Sequence, residues 1–303
     1  MFKYTEKFLS FQGEGHHTGK NTVWLRLFQC NLECRGFGQK NPADPSSYAP
    51  VGNDMDLIDI KVLEDLPVFE HGCDSAYSVS RRYEHLVYSG SANDICNDLE
   101  SLITSDYNTG GKFLNSNSGE YTHLCFTGGE PMLRPNQKAI MAIVREFHQR
   151  GNMPYRITVE TNGTQKLSPE FVKFIEWFYD VTNGEGEWFW SVSPKLHNTS
   201  GEQNDIAIKP EIVKAYQDLV RNNTGQLKFV VNGSNDTWIE LSNVVDQFRK
   251  EGVVFPVWVM PVGSLKEHQE SDIVKEIVAE TLSRGYHVSG RLHALMLGNG
   301  IGT

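Results

Sequence analysis

The chain has 303 residues, 39% of them hydrophobic and 22% charged, an ordinary globular balance with room for one large domain or two smaller ones. Its formal net charge of −10, from 38 acids against 28 bases, argues against a broad nucleic-acid surface, which needs clustered positive charge. No run approaches the roughly 18 apolar residues of a membrane span, and residues 1–10 lack the apolar core of a signal peptide. A cytoplasmic protein without nucleic-acid or membrane partners is therefore expected.

Residues 8–19 are glycine-rich and precede an apolar run at residues 23–28 that reads as a buried strand. The glycine-rich stretch reads either as a hairpin turn or as a place where backbone approaches a ligand. Past the strand lies Cys30-Asn31-Leu32-Glu33-Cys34, two thiols where a barrel or open α/β sheet places its chemistry. Residues 35–72 break the pattern with proline, glycine, serine and an acidic second half, and read as an inserted loop with at most one short element. It ends at Gly72-Cys73-Asp74-Ser75.

Beyond it, strands and helices alternate. Helices are predicted over residues 92–104, 136–150, 169–179, 210–221, 238–250 and 272–284. Strands are predicted over 121–126, 155–159, 188–192, 226–231, 253–260 and 286–289. Residues 107–120 read as a mobile loop. This alternation predicts βαβ units and a parallel sheet. Polar motifs fall repeatedly at strand C-terminal ends, the functional rim of such folds. No repeat or linker divides the chain, so one domain over residues 1–303 is expected. The five cysteines are an odd number without a disulfide-framework look. Cys96 on a helix and Cys125 in a strand read as small buried hydrophobes.

Several segments in order carry a family likeness. They are Ser10-Phe11-Gln12-Gly13-Glu14-Gly15, Arg26-Leu27, the Cys30 to Cys34 segment, Cys73-Asp74-Ser75 and Thr127-Gly128-Gly129-Glu130-Pro131-Met132. Glu160-Thr161-Asn162-Gly163-Thr164, Val192-Ser193-Pro194-Lys195 and Leu227-Lys228-Phe229 complete the set. With them the chain resembles the radical S-adenosylmethionine (SAM) superfamily, and within it the 7-carboxy-7-deazaguanine synthases of queuosine biosynthesis. The likeness spans nearly the whole chain. It implies an α/β fold, a partial TIM-like (β/α) barrel, with residues 35–72 as an insertion in the cluster-binding loop.

The family's compact loop carries a third cysteine where this chain has Phe37. Cys73, followed by Asp74-Ser75 in place of the family's Cys-Asp-Thr, is the expected replacement. The resemblance thus implies a [4Fe–4S] cluster on Cys30, Cys34 and Cys73. SAM fills the open iron and is cleaved to a 5′-deoxyadenosyl radical. Implied SAM contacts are Asp74, Gly128, Gly129, Glu130, Glu160, Asn162, Ser193, Lys195 and Met260. Glu130 is expected to supply an acceptor or shape its turn.

The implied substrate is 6-carboxy-5,6,7,8-tetrahydropterin, contacted by Phe11, Gln12, Gly13, Glu14, Arg26, Thr127 and His293. Arg26 is assigned to its carboxylate and the hydroxyl of Ser75 to Mg²⁺. The resemblance also implies a homodimer and an electron donor such as flavodoxin. A glycyl-radical activating enzyme and a non-catalytic relative are the alternative readings. The insertion is expected to act as a lid or donor-docking surface.

Overall fold

The structure, a computed structural model, describes residues 1–298 and 300–302. Its strands are β1 (Phe2–Phe11), β2 (Asn21–Leu27), β3 (Tyr88–Gly90), β4 (His123–Gly128), β5 (Arg156–Thr161), β6 (Glu187–Val192), β7 (Gly225–Val231), β8 (Val257–Pro261) and β9 (His287–Val288). The helices are α1 (Ala92–Ile103), α2 (Arg134–Gln149), α3 (Pro169–Val181), the short α4 (His197–Ser200) and α5 (Asn204–Ala207), α6 (Pro210–Leu219), α7 (Asn235–Lys250), the short α8 (Lys266–Gln269), α9 (Asp272–Ser283) and α10 (Leu292–Leu297). Among the described residues the strands form one nine-stranded sheet in the order β3-β1-β2-β4-β5-β6-β7-β8-β9. From β2 to β9 neighbours pair in parallel, while β1 runs antiparallel to β2 and β3.

The sheet's two faces follow strand periodicity. Leu124 and Phe126, Ile157 and Val159, Trp188 and Trp190, and Leu227 and Phe229 point to the helices and are buried. Their opposite-face neighbours Thr127, Glu160, Ser191 and Lys228 line the concave side. The helices answer with their own apolar stripes, such as Ile95, Leu99 and Ile103 on α1 and Phe171, Phe174 and Phe178 on α3. Each such fully buried side chain contributes roughly 1.5–3 kcal/mol. Serine caps start several helices: the side chains of Ser91, Ser168 and Ser234 accept from the backbone N–H groups of Asp94, Phe171 and Thr237.

The β1–β2 connection is a hairpin closed by Gln12 N–H donating to the Lys20 carbonyl and Gly19 N–H to the Gln12 carbonyl, both at 2.8 Å, as one of the two readings of residues 8–19 has it. It also crosses the concave face. Gly15 N–H donates to Ser289 Oγ at 2.8 Å, His16 N–H to Gln226 Oε1 at 2.9 Å, and His17 Nε2 meets Glu187 at 2.9 Å. The sheet curls around this connection, giving the partial barrel.

Strand β1 was not among the predicted elements. Its register slips between Tyr4 and Glu6, and Glu6 is an inward-facing charge, so its sequence lacks clean alternation. Strand β8 begins later than predicted because residues 253–256 form an extended approach that ends in Pro256. Residues 107–120, expected as a mobile loop, are tied down. Phe113 is fully buried, and its N–H donates to Asn152 Oδ1 at 3.0 Å.

Residues 35–72 form a closed loop: Gly72 N–H donates to the Phe37 carbonyl at 2.8 Å. The loop contains 3-10 turns rather than a strand or α-helix. Its Ile60, Leu63, Leu66 and Phe69 pack with Ala76, Tyr77, Tyr83 and Leu86 into a second apolar cluster. Among the described residues, no helix is long and apolar enough to cross a membrane.

Candidate active site

The C-terminal ends of the parallel strands open into a cleft of about 270 Å³. Every residue singled out from the sequence lines it, except Gly13 and Glu130. Cys30 and Cys34 follow β2, and Cys73 arrives from the far end of the insertion. Cys34 packs with Leu32 and Ala207, with Cys30, Phe37 and Cys73 against that group. Phe37, at the place where a third cysteine was expected, packs against the same group.

The turn holding Cys30 and Cys34 is unusual in its backbone. Gln29 and Cys34 both have positive φ, 77° and 52°, a costly conformation for residues with a side chain. Gln29 N–H donates to the Ser78 carbonyl at 2.8 Å. Gly129 is needed because this turn passes so close, and Gly128 because the end of β2 does, a Cβ there falling 2.2 Å from the Leu27 carbonyl oxygen. A Cβ on Gly129 would lie 2.3 Å from the Gln29 carbonyl oxygen. The glycine pair thus seats the cysteine turn, and both residues also face the cleft.

Burial pushes the Cys30 thiol up to about 12, with Glu130 adding to it. Burial likewise raises Cys34 well above the usual range and raises Cys73. Lys195 opposes the rise at all three. Polar hydrogens also approach sulfur. Leu32 N–H reaches Cys30 Sγ at 3.4 Å, Asn162 Nδ2 reaches it at 3.8 Å, and the Ser75 hydroxyl lies 3.5 Å from Cys73 Sγ.

Among the described residues, no three His, Cys, Asp or Glu side chains are grouped as a single-ion site requires. Three soft sulfur donors on one rim, neutral unless a positive partner is present, suit instead a polynuclear iron–sulfur cluster. Such a cluster spreads its thiolates over separate irons. The donor set fits that group.

Across the cleft floor runs a chain of alternating charges. Thr127 Oγ1 donates to Glu160 Oε2 at 3.0 Å, and Gln12 Nε2 to Glu160 Oε1 at 3.3 Å. Lys228 lies 3.8 Å from Glu160 and pairs closely with Glu14. Glu14 in turn accepts from Arg291 Nε at 3.0 Å, and Arg291 reaches Asp74 at 2.5 Å. Burial alone would raise the Glu14 carboxyl, but Lys228 and Arg291 hold it well below the usual range. Asp74 is held down by Arg291 against the same burial effect.

These pairings show what several of the assigned side chains already touch. Arg26, assigned to a substrate carboxylate, is already paired with Glu6, whose other contacts are the Tyr77 hydroxyl at 2.6 Å and the Gly302 N–H at 3.0 Å. Asp74, assigned to SAM, is engaged by Arg291. Gly13 does not line the cleft. It lets His293 in, since a Cβ there would fall 2.0 Å from His293 Nδ1, and its carbonyl accepts from Leu292 N–H at 2.9 Å.

Glu130 is fully buried behind the wall. It accepts from Met132 N–H at 2.8 Å, Thr161 Oγ1 at 2.7 Å and Asn162 N–H at 2.8 Å. These bonds tie its own turn to the end of β5. The insertion contributes more than a cover. Leu66, Pro67, Val68 and Glu70 form part of the cleft wall.

Glu6, Tyr77, Lys228 and Arg291 were not assigned from the sequence. Lys228 carried a usable signal, a lone charge inside the apolar run of β7. Arg291 stands two residues before His293 in a C-terminal segment that resembles the family's, while Glu6 and Tyr77 gave no signal, because their partners are remote in the chain.

No known protein-family profile matches the chain. It is similar along its length to two curated proteins named 7-carboxy-7-deazaguanine synthase. That of Rhodopirellula baltica is 25% identical over 311 residues, covering 99% of this chain and 88% of the relative. That of Halobacterium salinarum is 24% identical over 309 residues, covering 96% and 88%. The crystal structure of QueE from Escherichia coli superposes with a TM-score of 0.50 at 14% identity, over 96% of this chain and 94% of the other. The chain therefore has the α/β partial-barrel fold of that enzyme, and its sequence resembles the 7-carboxy-7-deazaguanine synthases from end to end.

Proposed function

We propose that this chain is a radical SAM enzyme converting 6-carboxy-5,6,7,8-tetrahydropterin to 7-carboxy-7-deazaguanine with loss of ammonia. The observation that carries the reading is the meeting of Cys30, Cys34 and Cys73 on one strand-end rim. It comes with full-length similarity to curated proteins of that name. When bound, a [4Fe–4S] cluster with SAM supplies the one-electron chemistry of hydrogen abstraction.

The chain's own residues do the rest. Cys30, Cys34 and Cys73 hold the cluster. The backbone at Gly128 and Gly129, with Asn162, Ser193, Lys195 and Met260, lines the same cleft as those thiols and offers a surface for SAM. Glu160 orients through Thr127 and Gln12, leaving carboxylate lone pairs toward the cleft. Gln12 and Glu14 offer an amide and a carboxylate to the donor and acceptor edge of a pterin.

Lys228 and Arg291 keep Glu14 ionised and aimed. Arg26 has further donors beyond the one given to Glu6, so it can still receive the substrate carboxylate. His293 closes the substrate side. The Ser75 hydroxyl is our candidate oxygen for Mg²⁺, with substrate oxygens and water completing its shell. A flavodoxin-like electron donor and a homodimer belong to the same proposal.

The test is an anaerobic assay of the reconstituted protein with carboxytetrahydropterin, SAM, Mg²⁺ and a reductant, read by mass spectrometry. Appearance of the deazapurine acid supports the reading. Cluster-loaded protein that cleaves SAM yet leaves the pterin untouched would refute the substrate assignment.

A further inference from the structure

Glu202 belongs to none of the segments that carry the family likeness, yet it touches the cysteine turn. Its Oε1 accepts two consecutive backbone hydrogen bonds, from Glu33 N–H at 2.8 Å and from Cys34 N–H at 2.6 Å. Charge-assisted bonds of this kind are roughly twice as strong as neutral ones. They act where the turn is conformationally costly, at Cys34 with φ of 52°.

The carboxylate is itself well anchored. Glu202 N–H donates to Ser200 Oγ at 3.2 Å, and its carbonyl lies 3.1 Å from His197 Nδ1. The start of α4 is held in turn by Glu240 of α7, which accepts from His197 N–H at 2.6 Å and Asn198 N–H at 2.9 Å. At the other side of the turn, Gly36 N–H donates to the Ser200 carbonyl at 2.8 Å. The α4 segment is thus a brace. One carboxylate fixes its start to the helical layer, and a second, at its end, grips the cysteine turn.

We infer that Glu202 is a positioning residue for the cluster: it fixes the Cys34 turn, keeps the Glu33 and Cys34 amides occupied, and sets a negative charge beside the ligand cysteine. The inference rests on the reading of Cys34 as a cluster ligand. Amide N–H groups that reach cluster sulfur, and nearby charge, both tune reduction potential. An amide bonded to a carboxylate is withheld from sulfur. The negative charge disfavours the extra electron, so both effects lower the potential.

Two substitutions separate these effects. Glu202→Gln keeps an acceptor oxygen for the turn and removes the charge. Glu202→Ala removes both. Potentials are read by electron paramagnetic resonance during a redox titration of the reconstituted full chain. Amide hydrogen exchange of residues 33–36 is read on the same chain before reconstitution.

We expect a more positive cluster potential in both variants. Faster exchange at residues 33–36 is expected in Glu202→Ala, with exchange close to wild type in Glu202→Gln. An unchanged potential in both variants, or unchanged exchange in Glu202→Ala, would overturn the inference. A wild-type chain that takes up no cluster, while Glu202→Ala exchanges faster, would refute the proposed function and the tuning of potential. It would leave only a brace on the turn.

Discussion

Lys228 and Glu14 form an ion pair inside the partial barrel, their side chains 6% and 12% exposed, joining β7 to the β1–β2 connection. Glu160 shares the same ammonium at 3.8 Å. Removing the cation leaves Glu14 to Arg291 alone and takes from Glu160 its ammonium partner, and breaking a buried pair on one side costs roughly 3–5 kcal/mol. Lys228→Ala is therefore expected to lower unfolding free energy by that amount in urea, with Lys228→Arg losing much less. A loss under about 1 kcal/mol, the level of an exposed pair, would show that the pair is solvated.

Glu130 gives the second prediction. Three donors converge on it, and burial raises its carboxyl. Glu130→Ala strands two buried backbone N–H groups and the Thr161 hydroxyl, at about 1–3 kcal/mol each when unsatisfied. A destabilisation of about 3 kcal/mol is expected by thermal or chemical denaturation. A protein as stable as wild type, with only SAM binding weakened, would instead make Glu130 a direct ligand.

The hairpin connection that fills the barrel brings a pH dependence. Burial, and then the neighbouring His17, lower His123 from its ordinary 6.5 to about 4. The unfolded chain therefore binds a proton that the folded chain refuses between those values. Stability is full above pH 6.5 and is lost as pH falls toward 4, by up to about 3 kcal/mol from this residue. Glu187, held low by His17 against burial, adds a loss of the same sign as it protonates. Urea midpoints should fall across this window, less steeply in His123→Asn. A flat profile in the wild-type chain would contradict the burial argument.

The insertion supplies the fourth prediction. A lid or docking loop would affect only the rate of electron delivery. Here Leu66, Pro67, Val68 and Glu70 are cleft wall, and the loop's apolar side chains cover Tyr77 and Tyr83. Replacing residues 39–70 with a short linker should depress turnover equally with a protein reductant and with dithionite. Loss confined to the protein reductant would restore the docking reading.

The elements legible in the sequence were those whose periodicity serves a single environment. Strands β4 to β7 alternate between helix-facing apolar residues and a polar concave face, and helices α1, α2 and α3 carry one apolar stripe each. Strand β1 was illegible because its bulge and inward Glu6 break the alternation. In the site, residues at strand ends could be found from motifs, because each sits beside its own strand. Their electrostatic partners could not. Glu14, Asp74 and Arg291 are brought together only by the curl of the sheet. Glu130 kept its place in a motif while its side chain turned away from the cleft, a direction that only the burial of the following turn reveals.

The central claim is that a cysteine from beyond the insertion completes the set begun by Cys30 and Cys34. Cys96 and Cys125 are fully buried elsewhere, Cys125 beside Trp24 on the neighbouring strand, and serve as internal controls. The most direct measurement is iron and sulfide content after anaerobic reconstitution of Cys73→Ala beside Cys96→Ala and Cys125→Ala. We predict that Cys73→Ala retains no intact [4Fe–4S] cluster while both controls load as wild type does. A full complement of iron and sulfide in Cys73→Ala would contradict the account.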